Sequence, residues 1–357
     1  MARRSIFSRA AIFAICCFAL IGCGRDTLPT EVVLTSDFLE DEVFRLEGHP
    51  CMKNEIMVYL ANSENQYSEV FGNRIWTVPV GDGTLEDSYK DNILARIAQI
   101  KTMNLLASEY NVSLDENEEA KAAAAAREYY DTLTDAERSY LDVDADTIAK
   151  LYREFATANK LYEAVTAEIN PEISDDEART ITVRTILIKT YRLDANGTRI
   201  PYNEEEKKSA LSRIAQIQQR IADGEAFEML AADYNEDTRN EYSFGRGVMP
   251  EAFEEAAFNL GAGEVSDIVE TDYGYHLIYC ITTFNPEETD ANKIKIVEKR
   301  KQEAFDEVYN SFVATLTSNL NKPLWDSIHY NSGGAVTTTD FFEIYDKYFT
   351  IVSTQPS

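Results

Sequence analysis

The hexapeptide Thr271-Asp-Tyr-Gly-Tyr-His276 constrains this chain more than any other stretch, because of what precedes it. Alone it is a threonine, a turn and a histidine, and such a histidine is usually a packed or hydrogen-bonded strand residue. Here it closes a segment, Thr180 to Thr282, that also carries Phe227-Glu-Met-Leu-Ala-Ala-Asp-Tyr-Asn-Glu-Asp237, Phe244-Gly-Arg-Gly-Val-Met249 and Phe258-Asn-Leu-Gly-Ala-Gly-Glu-Val265. Four such segments in one order are hard to obtain by chance.

In order and spacing they resemble the parvulin family of peptidyl-prolyl cis/trans isomerases. The resemblance implies an α+β domain over residues 179–286, of the FKBP-like superfold, with a small antiparallel sheet at its centre. Val183 to Lys189 would be its first strand, Asn203 to Ala222 and Ala226 to Tyr234 its first two helices, and Tyr242 to Gly245 a short strand. Glu251 to Asn259 would be a further helix, and Val265 to Val269 with Tyr275 to Ile281 the final hairpin. Met249 and Phe253 match the family's proline-cup positions, with Phe258 extending that lining or the core beneath it. Asp237 matches the acidic position near the substrate amide. Thr271 and His276 match the threonine and second histidine of the family's hydrogen-bond network. Two departures stand out. The first-strand His-Ile-Leu of the family is Thr185-Ile-Leu187 here, and the loop from Asp237 to Phe244 lacks the usual Gly-Gly-x-Leu-Gly segment, which shortens one wall. Substrate binding is therefore implied more firmly than catalysis.

The N-terminus reads as a leader. Arg3, Arg4 and Arg9 precede an apolar run of twelve residues, Ala10 to Ile21. At a helical rise of 1.5 Å per residue twelve residues cover only about 18 Å of a hydrocarbon core of about 30 Å, so the run suits a signal peptide and not a span. Leu20-Ile-Gly-Cys23 resembles a bacterial lipobox, which implies cleavage after residue 22, lipidation of Cys23 and a tether over 23–30. Losing the leader removes three Arg and no acids, leaving 31 basic against 62 acidic residues, a formal charge of −31. Such a surface repels nucleic acid and suits basic or weakly charged partners. Cys51 and Cys280 remain in different regions without C-x-x-C spacing, and read as free thiols.

Helical signals fill residues 31–168. Asp37 with Glu40 suggests a helix stopped by Gly48-His-Pro50, followed by a short helix from Met52 to Asn62 and an irregular or strand-like piece from Gly72 to Gly83. Thr84 with Asp87, Asp115 with Glu118, and Thr134 with Glu137 have capping-box spacing. Ile93, Ile97 and Ile100, and later Ile148, Leu151, Phe155 and Ala158, recur at three and four. Residues 31–168 thus read as an all-helical domain and 169–178 as a linker. A helix is expected over 287–320, and 321–357 carries no assignment beyond a packed turn near Pro323 to Ile328. This layout resembles the foldase lipoproteins of the PrsA type and the SurA-type chaperones, in which flanking helices form one chaperone module around an inserted isomerase.

That resemblance implies a lipid-anchored extracytoplasmic foldase of the bacterial envelope, acting on X-Pro bonds of unfolded or emerging secreted polypeptides, and leaves a homodimer open. No cofactor is expected: there is no phosphate loop, and with three His in the chain a His-rich metal site is not expected. Two other readings remain open. One is a chaperone that only binds its clients through a degenerate parvulin domain; the other is a structural envelope lipoprotein.

Overall fold

The computed structural model describes residues 38–169, 171–195, 197–329, 334 and 336–349; the leader, Cys23 and the tether lie outside them. The described residues divide into two compact units, one running up to Glu168 and resuming at Lys301, the other Ile169–Arg300.

The first unit corrects the all-helical expectation for residues 31–168. Glu42–Leu46 (β1) and His49–Met52 (β2) form a hairpin where a helix is expected. Its turn residues Glu47 (φ 46°) and Gly48 (φ 78°) are both left-handed, the geometry that follows the right-handed twist of two strands. The Glu42 carboxylate fixes the start of the hairpin, accepting from Arg45 Nε at 2.6 Å and from the Leu39 backbone N–H at 2.8 Å. Val43, Phe44 and Leu46 are buried.

Lys53–Phe71 (α1) runs well past the expected Asn62. A 3-10 turn (Asn73–Thr77) and the short pair Pro79–Val80 (β3) and Gly83–Thr84 (β4) lead into Leu85–Glu109 (α2). Glu116–Thr132 (α3), Asp135–Leu141 (α4) and Ala145–Thr166 (α5) follow. The three capping boxes start α2, α3 and α4, each supplying partners to backbone N–H groups that a helix leaves unpaired.

In the second unit Asp175–Ala178 (α6) precedes Ile181–Lys189 (β5). Tyr191–Leu193 (β6) and Arg199–Pro201 (β7) make a small hairpin that the sequence reading lacks. Then come Glu204–Ala222 (α7), capped by Asn203 and Glu206, Phe227–Tyr234 (α8), Glu241–Phe244 (β8) and Glu251–Phe258 (α9). Val269–Thr271 (β9) and Gly274–Thr282 (β10) form the closing hairpin. Its first arm is therefore not Val265–Val269. Val265 makes only an isolated bridge to Tyr279, because at Ser266 the side-chain hydroxyl accepts the Ile278 N–H at 3.0 Å in place of a backbone carbonyl.

The sheet order is β8-β5-β10-β9, with every neighbouring pair antiparallel. Side chains alternate across a strand, so β5 and β10 each feed two cores. Ile186, Ile188, Tyr275 and Leu277 pack with Ile214, Ile217 and Leu230 of α7 and α8. Ile181, Val183 and Ile278 pack on the opposite face with Phe244, Phe253 and Phe258.

Pro286–Val313 (α10) belongs to the second unit through residue 300 and to the first beyond it. It stops short of residue 320: Thr315 and Leu316 close with i→i+3 bonds, and Ser318–Leu320 (β11) pairs with β1 to give the order β11-β1-β2. Lys322–Ser327 (α11) buries Trp325, and Phe341–Phe349 (α12) inserts aromatic rings into the helical core. Phe341 stacks on Tyr152 at 4.4 Å and lies 5.3 Å from both Tyr59 and Tyr129. The segment before α12 is held by Glu137, whose carboxylate accepts from the Thr337 and Thr338 N–H groups at 2.9 and 3.1 Å. Cys51 and Cys280 are buried free thiols; burial raises both above the usual thiol value, Cys51 far above it.

Candidate active site

The register of three strands gathers the candidate residues on one face. Val183 faces Tyr242, Thr185 faces Ile278, and Leu187 faces His276. Cross-strand partners share a face, as do alternate residues of one strand. Val183, Thr185, Leu187, Tyr242, His276 and Ile278 thus lie on the side of the sheet that α9 covers.

His276 is the centre of this face. It is 7% exposed, its Nε2 lies 2.8 Å from Thr271 Oγ1, and its ring meets Phe253 edge-on at 5.2 Å. Thr271 is itself fixed by the turn, accepting the Tyr273 N–H at 3.1 Å. The turn requires Gly274: with φ at 140°, a Cβ there would sit 2.2 Å from the Ile188 carbonyl oxygen of β5. Burial lowers the His276 pKa, and the nearby Asp237 carboxylate opposes this only in part, so it falls from 6.5 to about 4. At neutral pH the ring is uncharged, with one nitrogen a donor and the other an acceptor.

Asp237 is half-buried at the start of the loop that follows α8. Both its oxygens are engaged: Tyr242 Oη donates to Oδ2 at 2.6 Å, and the Thr238 N–H donates to Oδ1 at 2.7 Å. Burial first, and then the hydrogen bond and negative charge of Asp237, push the Tyr242 hydroxyl up to about 12. Asn235 shapes the same loop: Oδ1 accepts the Leu187 N–H at 2.9 Å and the Asp237 N–H at 3.2 Å. Tyr242 and Asn235 were not among the expected site residues. An Asn two positions before the acid is a local turn signal, but nothing in the sequence points from Tyr242 to Asp237.

The apolar wall divides into parts. Phe253 is 4% exposed, between His276 and Phe244, whereas Met249 is half-buried beside it. Phe258, expected either in that lining or in the core beneath it, packs in the core: it is 7% exposed, lies against Phe244, and is covered by the guanidinium groups of Arg246 and Arg179 at 4.3 and 5.0 Å. Thr185 is 2% exposed on β5, and its backbone N–H is bonded to Asn240 O at 2.8 Å. Among the described residues no group of three or more His, Cys, Asp or Glu could hold a metal ion, and no helix is long and apolar enough to cross a membrane.

A neutral imidazole bonded to a hydroxyl, a held carboxylate and an apolar wall place fixed polar groups beside an apolar surface. Such a site suits a reaction in which bonds rotate and none is broken. Residues 186–282 match the Rotamase family, described as the PPIC-type PPIASE domain. Over 212 residues the chain is 29% identical to the foldase protein PrsA of Oceanobacillus iheyensis, covering 56% of this chain and 64% of that one. Over 120 residues it is 36% identical to the foldase protein PrsA of Geobacillus kaustophilus, covering 31% and 40%. The matches thus span less than two thirds of these curated relatives. A crystal structure of the peptidylprolyl isomerase PrsA from Bacillus cereus is similar at 19% identity with a TM-score of 0.36, covering 77% of this chain and all of that one. Sequence match and site together make residues 186–282 a PPIC-type peptidyl-prolyl isomerase domain of the parvulin family, within a chain similar to PrsA foldases.

Proposed function

We propose that the protein is an extracytoplasmic foldase, held at the membrane by lipid on Cys23, that catalyses cis/trans isomerisation of X-Pro bonds in secreted polypeptides. The observation that carries the reading is the Thr271–His276 pair, with the buried His276 ring against Phe253 and near the Asp237 carboxylate. An X-Pro bond crosses a barrier of about 18–20 kcal/mol because rotation breaks amide resonance, and unaided exchange takes tens to hundreds of seconds. Catalysis needs no covalent step, only a site that prefers the twisted amide. The Met249 side of the wall would receive the proline ring, while fixed polar groups would stabilise an amide whose carbonyl has lost conjugation. The lipobox motivates the tether, and the strongly acidic chain favours basic or weakly charged clients.

The test is the cis-to-trans exchange rate of a series of X-Pro peptides, followed by NMR with the purified protein and with Asp237→Ala and His276→Ala. Acceleration that both substitutions reduce supports the reading. A second reading, a chaperone that binds clients without catalysis, is favoured by Thr185, which stands where the resembled family carries a histidine. It predicts suppressed client aggregation with no acceleration, unchanged by Asp237→Ala.

A further inference from the structure

The two polar atoms that the site leaves unspent lie on the same face of the same strand pair. Thr185 Oγ1 and His276 Nδ1 are buried, and neither has a hydrogen-bond partner among the described residues. The register makes their residues diagonal neighbours: Thr185 faces Ile278 on β10, and His276 is two residues before Ile278. Diagonal neighbours of an antiparallel pair lie about 7–8 Å apart, less between Cβ atoms. One water accepting and donating at about 2.8 Å can join polar atoms up to about 5.6 Å apart, and side chains as long as histidine reach across such a diagonal.

We propose that Thr185 and His276 together bind one ordered water, and that Thr185 is thereby a positioning residue for the imidazole. A buried polar atom without a partner costs free energy, and internal waters are found where buried polar groups would otherwise go unpaired. Among the described residues no other side chain bonds either atom. Thr271 is engaged at Nε2, both Asp237 oxygens are held by Tyr242 and Thr238, and Phe253 closes the ring edge-on. Water suits the gap because it donates and accepts at once, so it pairs with Nδ1 whichever tautomer the Thr271 bond selects. With both ring nitrogens tied, the imidazole is fixed in its plane. A hydroxyl plus a water then occupies the space of the ring that the resembled family carries at position 185.

The kinetic part of this inference rests on the proposed isomerase activity; the hydration site does not. The chain has three histidines, so 15N-histidine labelling of the full chain gives three imidazoles to resolve by long-range 15N–1H spectra. Thr185→Val, nearly the same shape without the hydroxyl, is expected to move both His276 nitrogen resonances and leave His49 and His329 in place. Thr185→Ser is expected to restore them. A crystal structure of the unaltered protein is expected to hold solvent density within about 3 Å of Oγ1 and Nδ1. X-Pro exchange is expected to slow by about fivefold in Thr185→Val, as loss of one ordinary hydrogen bond would give, and to recover in Thr185→Ser. Unmoved His276 resonances in a folded Thr185→Val protein, or no density between the two atoms, overturn the inference. If the unaltered protein shows the density and the spectral coupling but does not accelerate exchange, the isomerase reading fails and the water site stands.

Discussion

The hydroxyl of Tyr242 donates a 2.6 Å hydrogen bond to Asp237 Oδ2, tying the acid of a loop to the edge strand of the sheet. Asp237 reaches His276 through its field and not through a hydrogen bond, so its effect depends on where its carboxylate is held. Removing the hydroxyl keeps the Tyr242 ring and its packing. Tyr242→Phe is expected to lower kcat/KM for X-Pro peptides by about tenfold, roughly the 1.4 kcal/mol that a hydrogen bond to a charged group can supply. An unchanged kcat/KM would mean that Asp237 needs no clamp.

The depressed pKa of His276 sets a direction for stability. In the unfolded chain the imidazole titrates at its ordinary 6.5, and in the folded protein at about 4. Between these values the unfolded chain holds a proton that the folded one lacks. Stability is therefore fully present above pH 6.5 and is lost as pH falls toward 4, with no further change from this group below. The loss is on the order of 3 kcal/mol for a shift of this size. Denaturation of the unaltered protein and of His276→Gln across that range isolates the slope, which the variant is expected to lack.

Gly274→Ala tests the close crossing of β10 over β5. A methyl group there would meet the Ile188 carbonyl, so backbone has to move on both strands. The expected cost is about 3 kcal/mol, with loss of isomerase activity at a lower denaturant concentration. Gly263→Ala is the control: its φ is also positive, at 85°, but the space beside it is open, and about 1 kcal/mol is expected.

Both tryptophans, Trp76 and Trp325, lie in the first unit, so their fluorescence follows that unit while isomerase activity follows the other. Phe341→Ala removes a fully buried ring that stacks on Tyr152, and is expected to destabilise the first unit by about 3–5 kcal/mol. The fluorescence transition is expected to move and the activity transition to stay. Equal movement of both would mean that the two units unfold as one.

What could be read from the sequence was local. Thr84 with Asp87, Asp115 with Glu118, Thr134 with Glu137, and Asn203 with Glu206 are decided within one helical turn, and each cap forms. The Thr271–His276 bond also lies within six residues, but it was expected only through the family resemblance and not from the spacing itself. The β1 strand was not legible: its hairpin partner β2 is local but carries His49 and Pro50 where the sequence reads as a stop, and its other partner β11 is supplied from the far end of the chain. Likewise the aromatic run at 341–349 has no meaning until Tyr59, Tyr129 and Tyr152 surround it. In the site, the missing information was which loop group meets which strand group: Tyr242 with Asp237, and Thr185 across from His276.

The pairing of Phe44 with Leu320 also imposes a timetable on a chain made from its N-terminus. All of residues 169–300 are synthesised before the strand and the aromatic helix that complete the first unit. The isomerase domain can therefore complete its own sheet early, as soon as β10 has been made and pairs with β5, while the helices made before it wait for their last partners. During that interval the rings that α12 will cover and the β1 edge that β11 will pair are open.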